Sequence, residues 1–450
     1  MPHNLTIILP DHGLQPERAY SVSMLLQHFL GLDYEVTYHK KPEYVIRVGE
    51  GQKIVISDSF FSRYSQKEDY LKPENIPGKI NWLEIAVWQI KKMPVIYGKS
   101  TITIDKSQIH CEADLFASAF FMLSRWEEQV LPVRDKHKRF PGNESLAYKN
   151  GFLNLPVVNE YADLLWQMLQ HIGYQGERKQ HKFTIVPTHD IDDLFFWNRE
   201  NKAKFYRNLS GDLLKRRSFR KAWRRYRSFR KTQNNPSKDP FYVYDHFMDL
   251  AEKAGVKASF YFIPGGTTTH DNRYDISSDE FKNVIGLVRQ RNHKAGIHPS
   301  YDTFNNKELF HQELKALTEA SGTDISTGRQ HYLRFQNPIT WQIWELAGLK
   351  KDSTMYYTGY PGFRCGTCYE FPVFDTENRK QLNLREMPLL LMDVDLMRMD
   401  MVSAAKTITE IKREVHKHSG QFVFLWHNAN TSWIYGEQYR LFFEHHFYGA

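Results

Sequence analysis

The sequence predicts an α/β protein in two parts: a smaller α/β domain over 1–180, then a distorted, incomplete (β/α) barrel over 183–450. Three observations lead there. From residue 183 onward, short apolar runs alternate with amphipathic stretches, as in a parallel sheet wrapped by helices. About seven such runs fit an incomplete barrel better than an open doubly wound sheet. Neither G-x-G-x-x-G after a strand nor G-x-x-x-x-G-K-[ST] occurs, so nucleotide-binding folds lose their best sequence support. Finally, several of the runs end in His, Asp or Arg, and barrel-like α/β enzymes build their sites at strand ends.

In the first part, β-rich runs occur at YVIRVG (44–49), KIVIS (53–57) and MPVIYG (93–98). ADLFASAFFMLSRWEE (113–128) reads as one helix, apolar nearly all round and therefore buried. Arg125, Glu127, Asp135 and His137 follow as local salt bridges or a second site. YADLLWQMLQHIG (161–173) is an amphipathic helix, and GYQGERKQHK (173–182) has the composition of a linker.

The second part opens with a strand at 183–189, then a basic insertion over 200–235 and a helix at 241–254. ASFYFIP (258–264) is a strand, followed by a helix at 278–293, KAGIHPS, a helix at 306–321 and the strand GRQHYLRF. A helix at 339–348, a short strand near 351–356, LREMPLLLMD (384–393), a helix at 401–418 and the strand QFVFLWHN complete the series.

Composition is that of a globular chain: 450 residues, 41% hydrophobic and 25% charged. Aromatics at 14% suit either a core or a sugar-binding cleft. Cys111, Cys365 and Cys368 are too few for a disulfide scaffold, and the single C-x-x-C has no second pair to complete a zinc site. The N-terminus lacks a signal-peptide pattern and no window has the apolar length of a membrane span, which places the protein in the cytoplasm, membrane-peripheral at most. The net charge of +8 is local. Lys215 to Lys231 carries ten bases and no acid; without it, 50 bases face 52 acids, a net −2. Phe219, Trp223, Tyr226 and Arg230 lie at helical spacing, giving a basic amphipathic helix. That segment suits an anionic membrane surface, or a solvated insertion whose aromatics pack on the parent domain; direct nucleic-acid binding is disfavoured.

The chemistry concentrates at FTIVPTHDIDD (183–193). Asp190 and Asp192 flank Ile191 and project to the same side of the strand, because strand side chains alternate. Two carboxylates so placed repel unless a cation, a proton or a reaction offsets the cost. His298, His331 and His427 stand at or just after later strand ends. A carboxylate with two imidazoles leaves open positions on a catalytic zinc ion.

Over roughly 183–440 these motifs resemble the polysaccharide deacetylases of the NodB-homology type, metal-dependent carbohydrate esterases. The first part is similar to the uncharacterised domain that precedes some bacterial members, at FFMLSRWEE and from Asp135 to Phe140. The resemblance implies that Asp190 is the catalytic base and Asp192 a metal ligand. The family's His-x-x-x-His gives His298, but Asp302 stands where the second His belongs. Either Asp302 ligates through oxygen or His331 substitutes from the next strand end, the latter preferred. Arg329 to Tyr332 matches an Arg-Pro-Pro-Tyr motif in its outer residues only; Arg329 would pair with Asp190, with Arg334 as rival, and Tyr332 would meet substrate. Asp393 orients the catalytic His or is structural. His427 is the general acid, and Leu425 and Trp426 shape an acetyl pocket. Arg364, in GFRCGT, meets an acidic part of the substrate or lies on the surface. The implied function is removal of an acetyl group, N-acetyl before O-acetyl, from a glycan or sugar conjugate, with a divalent ion, zinc first. A catalytically degenerate glycan-binding or assembly module, or a membrane-surface adaptor acting through 215–231, is the alternative.

Overall fold

The computed structural model describes residues 5–49, 51–88, 90–197, 202–271, 274–432 and 437–449. It is a mixed α/β structure with several sheets, divided into two compact units. The first comprises Met1–Thr184, Leu333–Leu391 and Glu410–Phe422; the second comprises Ile185–Tyr332, Met392–Thr409 and Val423–Ala450. The span 183–450 is therefore shared between both units. Residues 200 and 201 of the expected insertion lie outside the described residues.

The first unit holds a six-stranded sheet in the order Glu35–His39, Leu5–Pro10, Glu43–Val48, Lys53–Ser57, Gln108–Ala113, Gly98–Ile104. The expected runs at 44–49 and 53–57 are its two middle strands, joined antiparallel. Four strands had no clear sequence signal. Glu35–His39, for example, is almost wholly exposed at the sheet edge and so shows no apolar alternation. The helix expected over 113–128 is broken in two, Leu115–Ser124 and Trp126–Val130. Asp114 caps the first by accepting from the Ala117 amide, and all ten of its residues are buried. The break falls at Arg125, whose φ of 53° is left-handed. From there its guanidinium donates to Glu127 Oε2 and Glu128 Oε1, each at 3.1 Å. Asp135 instead pairs with Arg139 at 2.9 Å, so the four polar residues do not gather into one site.

In the second unit Ser259–Phe262 runs parallel to Thr184–Ile191 on one side and to Lys294–Ile297 on the other. The order continues to Thr327–Gly328 beyond Lys294–Ile297, and to Gln421–Leu425 and Leu391–Met392 beyond Thr184–Ile191. Ser259–Phe262 and all of Gln421–Leu425 but its first residue are buried on both faces, which is why they read as continuous apolar runs. The strand expected from GRQHYLRF stops after Gly328. A Cβ at Gly328 would lie 2.1 Å from the Ile297 carbonyl oxygen, so only glycine permits this approach. The chain then turns through Tyr332 (φ 58°) and Leu333 (φ 55°). All three cysteines are buried free thiols, and burial pushes Cys111 up to about 12, leaving it unreactive. No helix among the described residues is long and apolar enough to cross a membrane.

Candidate metal centre and active site

Thr184–Ile191 delivers Asp190 and Asp192 to one edge of the second unit, while His189 points the other way. The His189 ring stacks on Phe247 at 3.9 Å and its Nδ1 meets the Trp426 carbonyl at 2.7 Å. Burial pushes its pKa down to about 3, so it is a neutral core residue.

Asp192, His298 and His331 each offer one ligand atom, and the three atoms lie within 4.8 Å of one another. His298 Nε2 is 3.4 Å from Asp192 Oδ1 and His331 Nε2 is 3.8 Å from it. The tautomers follow from the partners. His298 Nδ1 sits 2.6 Å from the Arg329 carbonyl, and His331 Nδ1 sits 3.1 Å from Asp271 Oδ1. A carbonyl or carboxylate can only accept, so each Nδ1 carries a proton, and a neutral ring then turns its Nε2 lone pair toward Asp192. Asp192 Oδ1 is itself buried with no hydrogen-bond donor. With both rings neutral, three lone-pair donors converge on one point, the arrangement a divalent cation requires, and a carboxylate plus two outer-anchored imidazoles suits zinc. Electrostatics agree. Although burial opposes ionisation, His298 and the other imidazoles hold Asp192 well below the carboxylate range. Burial likewise opposes charge on His298, yet Asp190 and Asp192 raise its pKa. Positive charge is therefore favoured beside Asp190 and Asp192, as a proton on His298 or, in its place, a divalent cation.

Asp190 lies beside this group. It is 2% exposed, and Arg329, fully buried, donates to its Oδ1 at 2.8 Å. Arg334, the rival, donates to the His137 carbonyl in the first unit instead. From the end of the last strand, His427 turns Nε2 toward Asp192 Oδ2 at 3.8 Å. Its Nδ1 is 2.8 Å from Asp393 Oδ1, and its backbone amide donates to Asp393 Oδ2 at 2.6 Å. Asn430 also donates to Asp393, at 2.8 Å. Burial lowers the affinity of His427 for a proton, but Asp393 outweighs it, and the pKa is pushed up to about 10. His427 therefore carries a proton at neutral pH.

Other expected site residues fall elsewhere. Asp302 is exposed and outside the metal-competent group. Tyr332 keeps its ring next to His331, at 4.8 Å between centroids. Trp426 is fully buried, packed on Phe443 at 4.6 Å, and reaches only a small apolar cavity lined by Leu396, Met397, Met399 and Phe442. It shapes that wall from within the core, not as a surface contact for substrate. Arg364 belongs to the first unit, is 3% exposed, and is neither a surface arginine nor a member of this cluster. Its guanidinium is bidentate to Glu128 and donates to the Tyr356 carbonyl at 2.8 Å. A guanidinium out of water needs a carboxylate, and Glu128 supplies it.

Two positioning residues had no sequence signal. Asp271 lies in a polar loop without periodicity, yet it accepts from the Tyr301 amide at 2.8 Å and from Thr268 Oγ1 at 2.8 Å while holding His331. Burial would raise its pKa; His331 and these donors bring it down to about 2. Glu313, on the helix Lys307–Ser321, accepts from the Ser300 amide at 2.8 Å and from its hydroxyl, pinning the loop that follows His298.

Residues 6–174 match the model of a family of unknown function, DUF7033. No curated protein matches the chain. Among solved structures, a Mycobacterium smegmatis protein provisionally described as a polysaccharide deacetylase is similar at 15% identity and a TM-score of 0.35, over 58% of this chain and 83% of its own. A CE4 family pseudoenzyme from Bacillus anthracis is similar at 9% identity and a TM-score of 0.29, over 58% of this chain and 61% of its own. A polysaccharide deacetylase from Bacillus cereus is similar at 11% identity and a TM-score of 0.24, over 56% of this chain and 80% of its own.

Proposed function

We propose that the second unit is an incomplete (β/α) barrel of the NodB-homology type carrying a metal-dependent deacetylase site for a glycan or sugar conjugate. The observation that carries this reading is the convergence of Asp192, His298 and His331, flanked by Asp190 on Arg329 and His427 on Asp393. A divalent ion held by those three residues would polarise the acyl carbonyl and ease deprotonation of water.

The remaining chemistry falls to the chain itself. Asp190, oriented by Arg329, accepts a proton from the attacking water as the new C–O bond forms. His427 enters the reaction protonated, because Asp393 stabilises its imidazolium. Its Nε2 proton passes to the nitrogen as the C–N bond breaks, so the amine leaves neutral. With Asp393 fixed by Asn430 and by the Val394 amide at 2.7 Å, the imidazole holds its direction through the proton transfer.

The test pairs metal analysis with turnover of N-acetylglucosamine oligomers. Purified protein should hold about one equivalent of zinc. Asp190→Asn and His427→Ala should each lower turnover by about 100-fold or more while retaining the metal. Protein without metal affinity, or variants with unchanged turnover, would refute the proposal and return the fold to a glycan-binding role.

A further inference from the structure

We propose that the helix Phe219–Asn234, with the turn before it, docks the protein on an anionic lipid surface. The argument is independent of the deacetylase reading. Ten bases and no acid lie between Lys215 and Lys231. Among the described residues, the helix is anchored to the second unit through one face. Phe229 stacks on Phe205 at 4.0 Å between centroids, Trp197 donates to Ser228 at 3.2 Å, Arg225 pairs with Asp212, and Ala222 and Thr232 are buried.

Phe219, Trp223 and Tyr226 form a stripe to one side of that face, at i, i+4 and i+7. They are not buried against the parent domain, as the solvated-insertion reading requires. Phe219 is 77% exposed and Trp223 57%, with Tyr226 and Arg230 exposed beside them. Leu213 and Leu214 in the preceding turn are exposed too, Leu214 at 79%. Flanking this apolar stripe, Arg220, Arg224, Arg227 and Lys231 are exposed.

A membrane interface satisfies every part of this surface. Aromatic rings and leucines enter the headgroup boundary, the Lys and Arg stems snorkel along it, and their charges meet lipid phosphates. Charge alone would suit nucleic acid equally. The exposed rings could stack on bases as well, but the adjacent aliphatic leucines have no use there and suit the headgroup boundary.

Co-sedimentation of the full chain with vesicles tests the proposal. The protein should pellet with phosphatidylcholine vesicles containing phosphatidylglycerol, pellet far less with phosphatidylcholine alone, and be released by salt. Two variants alter only exposed positions: Phe219→Ser, Trp223→Ser and Tyr226→Ser together, and Arg220→Gln, Arg224→Gln, Arg227→Gln and Lys231→Gln together. The charge variant should lose about a hundredfold in partitioning and the aromatic variant about tenfold or more, with circular dichroism unchanged. Wild-type protein that ignores anionic vesicles, or an aromatic variant that pellets as wild type, overturns it. Tighter binding to single-stranded RNA than to vesicles, lost in the same variants, overturns it in favour of nucleic acid.

Discussion

Replacing Arg364 with methionine separates a structural arginine from a substrate-binding one. In the first unit, Arg364 and Arg125 share Glu128, Tyr357 donates to Glu128 Oε1 at 2.9 Å, and Arg125 also engages Glu127. All four charged side chains are at most 4% accessible. Removing one partner from such a cluster leaves uncompensated buried charge, at a cost of about 3–5 kcal/mol. An independent route gives a similar size. Burial alone would raise the Glu128 pKa, but Arg364 and Arg125 bring it from 4.5 down to about 2; at about 1.4 kcal/mol per unit that is roughly 3.5 kcal/mol for the two arginines together. Because the folded pKa is depressed, this stabilisation is present above 4.5 and is lost as pH falls from there toward 2. At ~2–4 °C per kcal/mol for a domain of this size, Arg364→Met should lower the calorimetric Tm by about 6–20 °C at neutral pH. It should also move acid unfolding to higher pH, since Glu128 then keeps only Arg125. A Tm within about 2 °C of wild type, with a raised KM for acidic substrates, would refute the structural assignment and restore Arg364 to the substrate.

Two further outcomes are expected. His331→Ala should weaken zinc affinity by more than the about 10–100-fold typical of losing an outer-shell partner, while Asp302→Ala should leave it unchanged; competition against a chelator measures both, and the reverse order would make Asp302 the third ligand. His418, buried in the first unit, meets Asp163 at 2.8 Å and Glu160 at 3.2 Å; burial lowers its pKa, but the two carboxylates win and raise it above 6.5. Its contribution to stability is therefore complete below 6.5 and lost as pH rises through the folded value. Urea midpoints of wild type should fall across that window relative to His418→Gln, and parallel pH profiles would remove the assignment.

Much of the second unit could be read from the chain because its signals are local. Buried parallel strands are continuous apolar runs; Ser259–Phe262 stands within two residues of its expected place, and Gln421–Leu425 starts where expected and ends three residues early. The helices Asp279–Gln290, Lys307–Ser321 and Met401–Lys417 follow their apolar periodicity in the same way. Alternation along a strand likewise puts Asp190 and Asp192 on one side without any knowledge of neighbours. Asp271 carried no such mark, because a carboxylate in a loop acquires its partner only when His331 arrives from 60 positions away.

Sequence alone therefore determined the alternation of strands and helices, the carboxylate pair at Asp190 and Asp192, and the imidazoles waiting near later strand ends. Tertiary structure decided which of these groups meet: His331 rather than Asp302 faces Asp192, Arg329 rather than Arg334 holds Asp190, and Arg364 is consumed by Glu128. The physical reason is one of range. Backbone periodicity is set by neighbours a few positions away, whereas the pairing of charges depends on which side chains the fold removes from water together.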